Sequence, residues 1–352
     1  MKRIQLALAA ATLFTVGSAQ AQLVFNNNFL AGTSAQAQAA IIQAEARWSA
    51  LFTDNVTMNI TIGTGALGSG IIASTGSTQN FYNYSSVRSA LVADAKSAND
   101  AIAVANLQAG SNFKELINYT ANNPNGTGSA TAYLDSTGAN TSTIRMSNAN
   151  AKALGLLGAS GANDASMTFS NTFAFDFDPS DGISAGTLDF VGVVTHEIGH
   201  ALGFISGVDI LDINSTSPNF FNDDEFTYAS TLDLFRYSAA SKAVGAIDYT
   251  AGNAAKYFSL DGGTTVGPQF ATGTVHGDGR QASHWKDNLG IGIMDPTFAF
   301  GELGAISAND IMGFDAIGWD LKVAAVPEPS TYAMFGLGLA AVAFMRRRKQ
   351  QA

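Results

Sequence analysis

Apolar residues follow helical spacing in some stretches of the chain and strand spacing in others. They recur every three or four residues over 34–52, 86–107 and 306–321, which predicts three helices. They alternate with polar residues over 56–62 and 167–177, which predicts two strands. The sequence therefore predicts an α+β fold.

A further helix is predicted over residues 190–203, with an apolar arc on one side. Its other side carries His196, Glu197 and His200, because about 100° separates successive residues. Two imidazoles four residues apart stand one above the other, at the separation that a single metal ion needs. Glu197 lies at the flank of that pair, where a carboxylate serves as general base without being a ligand. The sequence predicts a zinc site.

A catalytic zinc ion usually has three protein ligands and an open position. The chain has four histidines and no cysteine, so the third ligand must be His, Asp or Glu. In the compact metzincin pattern, the third histidine would be residue 206, which here is Ser206. His276 and His284 remain as candidates, and the alternative for His276 is an exposed loop histidine.

Two segments resemble leishmanolysin-type metallopeptidases. The first is the helix motif with its extension Ala-Leu-Gly-Phe, over residues 196–204, and the second is Ser-His-Trp over 283–285, followed by Met294. The resemblance implies a metzincin-like domain with a mixed twisted sheet, an active-site helix and a C-terminal subdomain of helices and loops. It implies that His196, His200 and His284 are the zinc ligands. It also implies that Met294 forms a methionine turn beneath the metal. Because the cysteines of the eukaryotic members are missing, the chain looks like a bacterial, disulfide-free relative.

The function implied is that of a secreted zinc endopeptidase. Zinc lowers the pKa of water to roughly 7 and polarises the scissile carbonyl, while Glu197 takes the water's proton and returns it to the leaving amine. By resemblance, the strand over 169–177 is the edge strand that pairs with an extended peptide. Two alternatives stay open: an inactive structural protein of the surface or matrix on a peptidase fold, and a zinc hydrolase of non-peptide matrix substrates.

Two acidic features lie outside the zinc motif. Asp176, Asp178 and Asp181 surround a glycine turn and are candidate Ca²⁺ ligands, with a plain acidic turn as the alternative. Asp233 and Arg236 lie in an apolar run, which predicts a structural ion pair.

Both ends of the chain differ from its body. Residues 1–21 have Lys2 and Arg3, an apolar run and Ala-Gln-Ala, which predicts a secretory signal peptide. Residues 326–352 have Pro-Glu-Pro, an apolar run too short for an ordinary spanning helix, and an arginine cluster. This order resembles the PEP-CTERM sorting signal of Gram-negative bacteria. The resemblance implies transient anchoring in the inner membrane, tail removal by an exosortase-type enzyme, and delivery to the cell surface, the extracellular space or the exopolysaccharide matrix.

The body between these ends is strongly acidic. The chain has 18 basic and 28 acidic residues, of which six basic and one acidic residue lie in the ends, leaving 12 basic and 27 acidic residues. A net charge of about −15 argues against nucleic acid or anionic lipid as a partner and favours solubility outside the cell. A protein or peptide substrate is what the resemblance to metallopeptidases implies. We expect an N-terminal lobe over 22–203 and a C-terminal lobe over 204–325, which holds a long insertion and the third ligand.

Overall fold

The computed structural model describes residues 22–322, so the predicted signal peptide and sorting tail lie outside the described residues. All helices and strands named below lie in one compact unit, which ends at Asp320. The boundary predicted between two lobes stays a prediction. Within the described residues, no helix has both the length and the apolar character needed to cross a membrane.

The described chain combines α-helices with several small sheets, which confirms the α+β class. The helices are α1 (Ala35–Ser49), α2 (Tyr84–Asp94), α3 (Ala98–Asn106), α4 (Asn148–Ala153), α5 (Phe190–Leu202), α6 (Val208–Asn214), α7 (Ala239–Ala243) and α8 (Ala308–Ala316). The strands are β1 (Val24–Phe29), β2 (Thr57–Gly65), β3 (Ala73–Ser77), β4 (Gln79–Asn83), β5 (Glu115–Ile117), β6 (Tyr133–Asp135), β7 (Thr143–Ser147), β8 (Ala165–Ser170), β9 (Phe175–Asp176), β10 (Leu188–Asp189), β11 (Arg236–Tyr237), β12 (Ile247–Asp248), β13 (Lys256–Phe258) and β14 (Gln269–Phe270).

The largest sheet is mixed and has four strands in the order β1-β2-β8-β3. β1 and β8 run parallel to β2, whereas β3 runs antiparallel to β8. Met58, Ile60 and Ile62 alternate along β2 and are at most 1% exposed, as the periodicity predicted. β3 forms one edge of this sheet and lies next to α5.

An aromatic cluster joins α1, α5 and α8. Trp48 of α1 stacks on Phe52 and meets Phe314 of α8 edge-on, with ring centroids 5.8 Å and 4.7 Å away. The Trp48 indole donates to the carbonyl oxygen of Thr195 at 3.0 Å, and the Trp319 indole donates to that of Leu202 at 2.9 Å. Buried tryptophans therefore hold α5 near its middle and at its C-terminal end.

The single helix predicted over 86–107 is wrong, because two helices occupy this region. Ala95 leaves the helical conformation, with ψ 118°, and ends α2. Ser97 then starts α3 with a capping box, in which its hydroxyl accepts from Asp100 N–H and the Asp100 carboxylate accepts from Ser97 N–H. The capping residues thus override a continuous apolar pattern.

The strand predicted over 167–177 is correct only in its first half. β8 ends at Ser170, and β9 pairs instead with β10. Phe175 and Phe177 pack around Phe190 of α5, with ring centroids 5.1 Å and 4.7 Å away. β8 is also an interior strand, bonded to β2 and β3, so the prediction that it is the edge strand is wrong and β3 takes that position.

Candidate metal centre

The helix α5 begins and ends as the sequence predicted. Asp189 is its N-cap and accepts from Gly192 N–H at 2.8 Å, while Gly203 ends it with φ 118°. Every residue of α5 except His200 is buried. The side that carries His196, Glu197 and His200 lines a cleft, and the opposite side packs in the core.

Three imidazole nitrogens converge on one point in this cleft. The Nε2 atom of His200 lies 3.0 Å from that of His196 and 3.1 Å from that of His284, and the remaining pair is 3.3 Å apart. Each Nδ1 faces a backbone carbonyl oxygen, which can only accept a hydrogen bond; these belong to Ile293, Phe204 and Gln281. Nδ1 therefore carries the proton, and three Nε2 lone pairs point at one another.

Burial keeps these imidazoles neutral. Desolvation lowers the pKa of His196 to about 4. Desolvation, with the neighbouring imidazole of His196, lowers the pKa of His200 to about 3. The pKa of His284 also falls well below its ordinary value, first by desolvation and then through His200 and His196. Neutral imidazole is the form that binds a metal ion.

This donor set fits zinc. Two imidazole nitrogens at about 2.0–2.1 Å from a tetrahedral zinc ion lie about 3.3 Å apart, close to the separations of the three Nε2 atoms. In the described part of the chain, His196, His200 and His284 are the one group of three His, Asp or Glu residues with donor atoms within 4.8 Å of one another. Converging lone pairs repel one another unless a cation lies between them. Zinc itself stays a prediction.

Glu197 lies beside this triad and is 6% exposed. Its Oε2 accepts a hydrogen bond of 2.5 Å from Thr75 Oγ1, on the edge strand β3. Burial raises the pKa of Glu197 to about 7, and the bond from Thr75 opposes that rise. Sequence reasoning missed Thr75, because it lies far from the motif in a stretch of Ser, Thr and Gly without a chemical pattern.

Met294 packs directly against α5 at Gly199. It is fully buried, and a Cβ atom at Gly199 would lie 2.4 Å from its sulfur. Residue 199 must therefore lack a side chain, since a methionine occupies that space. Sequence reasoning assigned no role to this glycine, although it lies between the two histidines of the motif.

A cleft of about 610 Å³ contains the triad and Glu197. Residues 70–75, which include the start of β3, line this cleft together with residues 279–281, 283 and 284. Phe298 lies near the His196 ring, with centroids 6.2 Å apart. The unpaired edge of a strand is thus next to the candidate metal centre.

His276 lies away from the triad. Its Nε2 bonds the carbonyl oxygen of Ser215 at 2.8 Å, and its ring stacks on Tyr119 with centroids 4.0 Å apart. These contacts hold the His276 side chain in its loop. The histidine that lies with His196 and His200 is His284, not His276.

The candidate calcium ligands bond to their own loop. Asp176 accepts from the backbone N–H groups of Asp178 and Ser184, and Asp178 accepts from that of Ser180. The pKa values of Asp176 and Asp178 are lowered first by the side chains of Ser184 and Ser180 and then by these backbone bonds. Asp181 is exposed at the end of a 3-10 turn, and the three residues do not converge as the histidines do. Calcium binding stays a prediction.

The predicted ion pair between Asp233 and Arg236 is wrong. Asp233 accepts hydrogen bonds from Ser206 Oγ and Gly207 N–H, at 2.5 Å and 2.8 Å. Arg236 donates to the carbonyl oxygens of Ala271 and Ala282. Both side chains form hydrogen bonds with neighbouring loops instead of with each other, which the local sequence spacing could not indicate.

Comparison with known proteins identifies the tail alone. Residues 325–349 match the PEP-CTERM protein-sorting motif, which confirms the predicted sorting signal. Transient anchoring in the inner membrane, tail removal and the final location stay predictions. The motif indicates export, membrane-associated sorting in Gram-negative bacteria and recognition by an exosortase-type sorting enzyme. No curated protein and no solved structure matches the chain significantly.

Proposed function

We propose that this exported protein is a zinc-dependent endopeptidase of the metzincin type, similar to leishmanolysin. The observation that carries the proposal is the convergence of three Nε2 atoms, 3.0–3.3 Å apart, beside a buried glutamate. His196, His200 and His284 would hold the ion. When bound, zinc supplies Lewis-acid chemistry, which polarises a carbonyl group and makes water more acidic.

The chain's own residues supply the proton transfers. Glu197 accepts a proton from the attacking water and delivers it to the amine that leaves when the peptide bond breaks. Thr75 fixes the orientation of that carboxylate through its hydrogen bond to Oε2. The Nδ1 bonds to backbone carbonyls fix the histidine tautomers, so that all three Nε2 atoms are available as ligands.

The edge strand favours a peptide over a non-peptide substrate. One side of β3 is bonded to β8, and residues 73–75 of β3 line the cleft. An extended peptide can add to such an edge through main-chain hydrogen bonds, which place its carbonyl groups along the cleft. The presence of Glu197 beside the triad speaks against an inactive structural protein, which needs no base.

The proposal is tested with the full chain, loaded with zinc and incubated with casein and a mixed peptide library. We expect cleavage products by mass spectrometry. Glu197→Gln, which keeps the shape of the side chain and the bond to Thr75, should bind zinc equally and cleave at least about 100-fold more slowly. If the wild-type chain binds stoichiometric zinc and cleaves nothing, or if Glu197→Gln cleaves at the wild-type rate, the peptidase assignment is wrong.

A further inference from the structure

His284 lies in a stretch without regular secondary structure. Between β14 and α8, a part of the chain that is fully described, there is no helix or strand. We call residues 271–294 the His284 segment. Its backbone contributes isolated contacts, such as Ala271 N–H to His284 O at 3.0 Å and Trp285 N–H to Met294 O at 2.9 Å. Something other than a hydrogen-bonded ladder must set the position of the third candidate ligand.

The helix α6 binds the part of the His284 segment that precedes His284, through two carboxylates. Asp209 accepts from Ala282 N–H at 2.5 Å, from Ser283 N–H at 3.2 Å and from Ser283 Oγ at 2.6 Å. Asp212 is fully buried and accepts from the N–H groups of Val275 and His276, at 2.7 Å and 2.8 Å. Asp209 thus binds the two residues directly before His284.

The helix α8 binds the part of the same segment that follows His284, through one carboxylate. Asp310 is fully buried and accepts four hydrogen bonds from three places in the chain. The donors are Trp285 Nε1 at 2.9 Å, Ile293 N–H at 2.8 Å, Met294 N–H at 3.2 Å and Ser307 N–H at 2.7 Å. Asp310 thus binds the residue directly after His284 and also the methionine turn.

Asp310 reaches a second candidate ligand through the methionine turn. Ile293 donates its N–H to Asp310, and its carbonyl oxygen faces His196 Nδ1 at 2.7 Å. Gly292 leaves room for this arrangement, because a Cβ atom there would lie 2.2 Å from Asp310 Oδ2. One carboxylate therefore influences both the place of His284 and the orientation of His196.

We infer that Asp209 and Asp310 are positioning residues of the candidate metal centre, which hold His284 from both sides and assemble the triad before an ion binds. The inference rests on the proposed zinc site. Bonds from N–H groups to a carboxylate are stronger than those between neutral groups, so they can order a segment that has no ladder. A site ordered in advance binds its ion more tightly, because binding does not have to order the ligands.

The test measures metal affinity in the full chain and does not depend on catalysis. Zinc affinity is determined by competition with a chromophoric chelator, and coordination is followed in the visible spectrum of the Co²⁺-loaded protein. Asp209→Asn and Asp310→Asn each place an amide against N–H donors. We expect zinc to bind about 10–100-fold more weakly in each, with an altered cobalt spectrum.

Asp164→Asn is the matched control. Asp164 is also a buried carboxylate, and it accepts from Asn59 N–H at 2.8 Å and Lys152 Nζ at 2.6 Å, outside the His284 segment. It should lower thermal stability and leave zinc affinity and the cobalt spectrum unchanged. Equal affinities for wild type, Asp209→Asn and Asp310→Asn overturn the inference.

The outcomes separate this inference from the proposed function. If wild type binds zinc but cleaves nothing, the peptidase proposal fails and the affinities still decide the positioning roles. If wild type binds neither zinc nor cobalt, both fail. If the two asparagine variants do not fold, Ser283→Ala decides, because it removes one donor to Asp209 and keeps the carboxylate; an unchanged zinc affinity then overturns the inference.

Discussion

The carboxyl group of Glu115 is buried on β5 beside the side chain of Asn140. Its Oε1 accepts from Asn140 Nδ2 at 2.9 Å, whereas its Oε2 and Asn140 Oδ1 have no hydrogen-bond partner in the described chain. Burial, with the nearby carboxylate of Asp135, raises the pKa of Glu115 well above its ordinary value. A proton on Oε2 removes the buried charge and supplies a donor, so we expect the folded protein to keep it.

Glu115→Gln should therefore stabilise the protein increasingly as pH rises. The folded state holds this proton more tightly than the unfolded chain, so the group favours folding fully below pH 4.5, the ordinary pKa of glutamate, and loses that contribution above it. Glutamine has the same shape and cannot ionise. The gain over wild type in free energy of unfolding should rise by at most about 1.4 kcal/mol per pH unit. Urea titrations from pH 4 to pH 8 measure it, and a difference independent of pH would contradict the expectation.

His284 and His276 give a matched pair for the third ligand. His284→Ala should abolish the rise in melting temperature on adding zinc, because two histidines hold an ion far more weakly than three. His276→Ala should keep that rise, since its side chain bonds Ser215 and stacks on Tyr119. Zinc at about 1,000 times its Kd adds about 4 kcal/mol of stability. Differential scanning calorimetry with and without a chelator measures the shift, and loss of the shift in His276→Ala instead would contradict the assignment.

At the scale of elements, the sequence predicted the helices and strands whose apolar residues recur at a regular spacing. α1, β2, α5 and α8 appear where apolar spacing placed them. α1 and β2 each bury one regular face, whereas α5 is buried except at His200. The break between α2 and α3 did not follow from periodicity, since it depends on the capping box of Ser97.

The residues of the candidate site also divide into those that the sequence predicted and those that it could not predict. The two histidines of α5 follow from helix geometry, and resemblance to a family was needed to single out His284. Thr75, Asp209 and Asp310 could not be predicted, because their partners lie far away in the chain and nothing local marks them. The order of strands in the sheet, which places β3 and not β8 at the edge, is likewise set by tertiary packing.

Gly199 affects how the helix α5 packs. In an exposed helix, Gly→Ala gains about 1 kcal/mol. Here Gly199→Ala should instead destabilise the metal-free protein by about 1–3 kcal/mol, because the new methyl group meets the sulfur of Met294. Urea unfolding measures the change. The double variant Gly199→Ala/Met294→Ala should show a favourable coupling, since the smaller residue vacates the space; strict additivity of the two changes would contradict the packing argument.

In the whole molecule, the sorting motif and the candidate metal centre lie in separate parts of the chain. The sorting motif over 325–349 concerns delivery, and the site lies in the unit that ends at Asp320. We expect replacement of Pro327, Glu328 and Pro329 by alanine to prevent removal of the tail in a host with an exosortase. Intact mass spectrometry of the exported protein measures this. Zinc content should be unchanged in the variant, and tail removal equal to wild type would contradict the expectation.

The His284 segment is held by carboxylates and backbone amides, and the chain contains no cysteine. Its assembly therefore needs no oxidant and no disulfide isomerase. Reducing agents leave every bond of the segment intact. A bacterium can thus export this protein and obtain the same folded site in air and in the absence of oxygen.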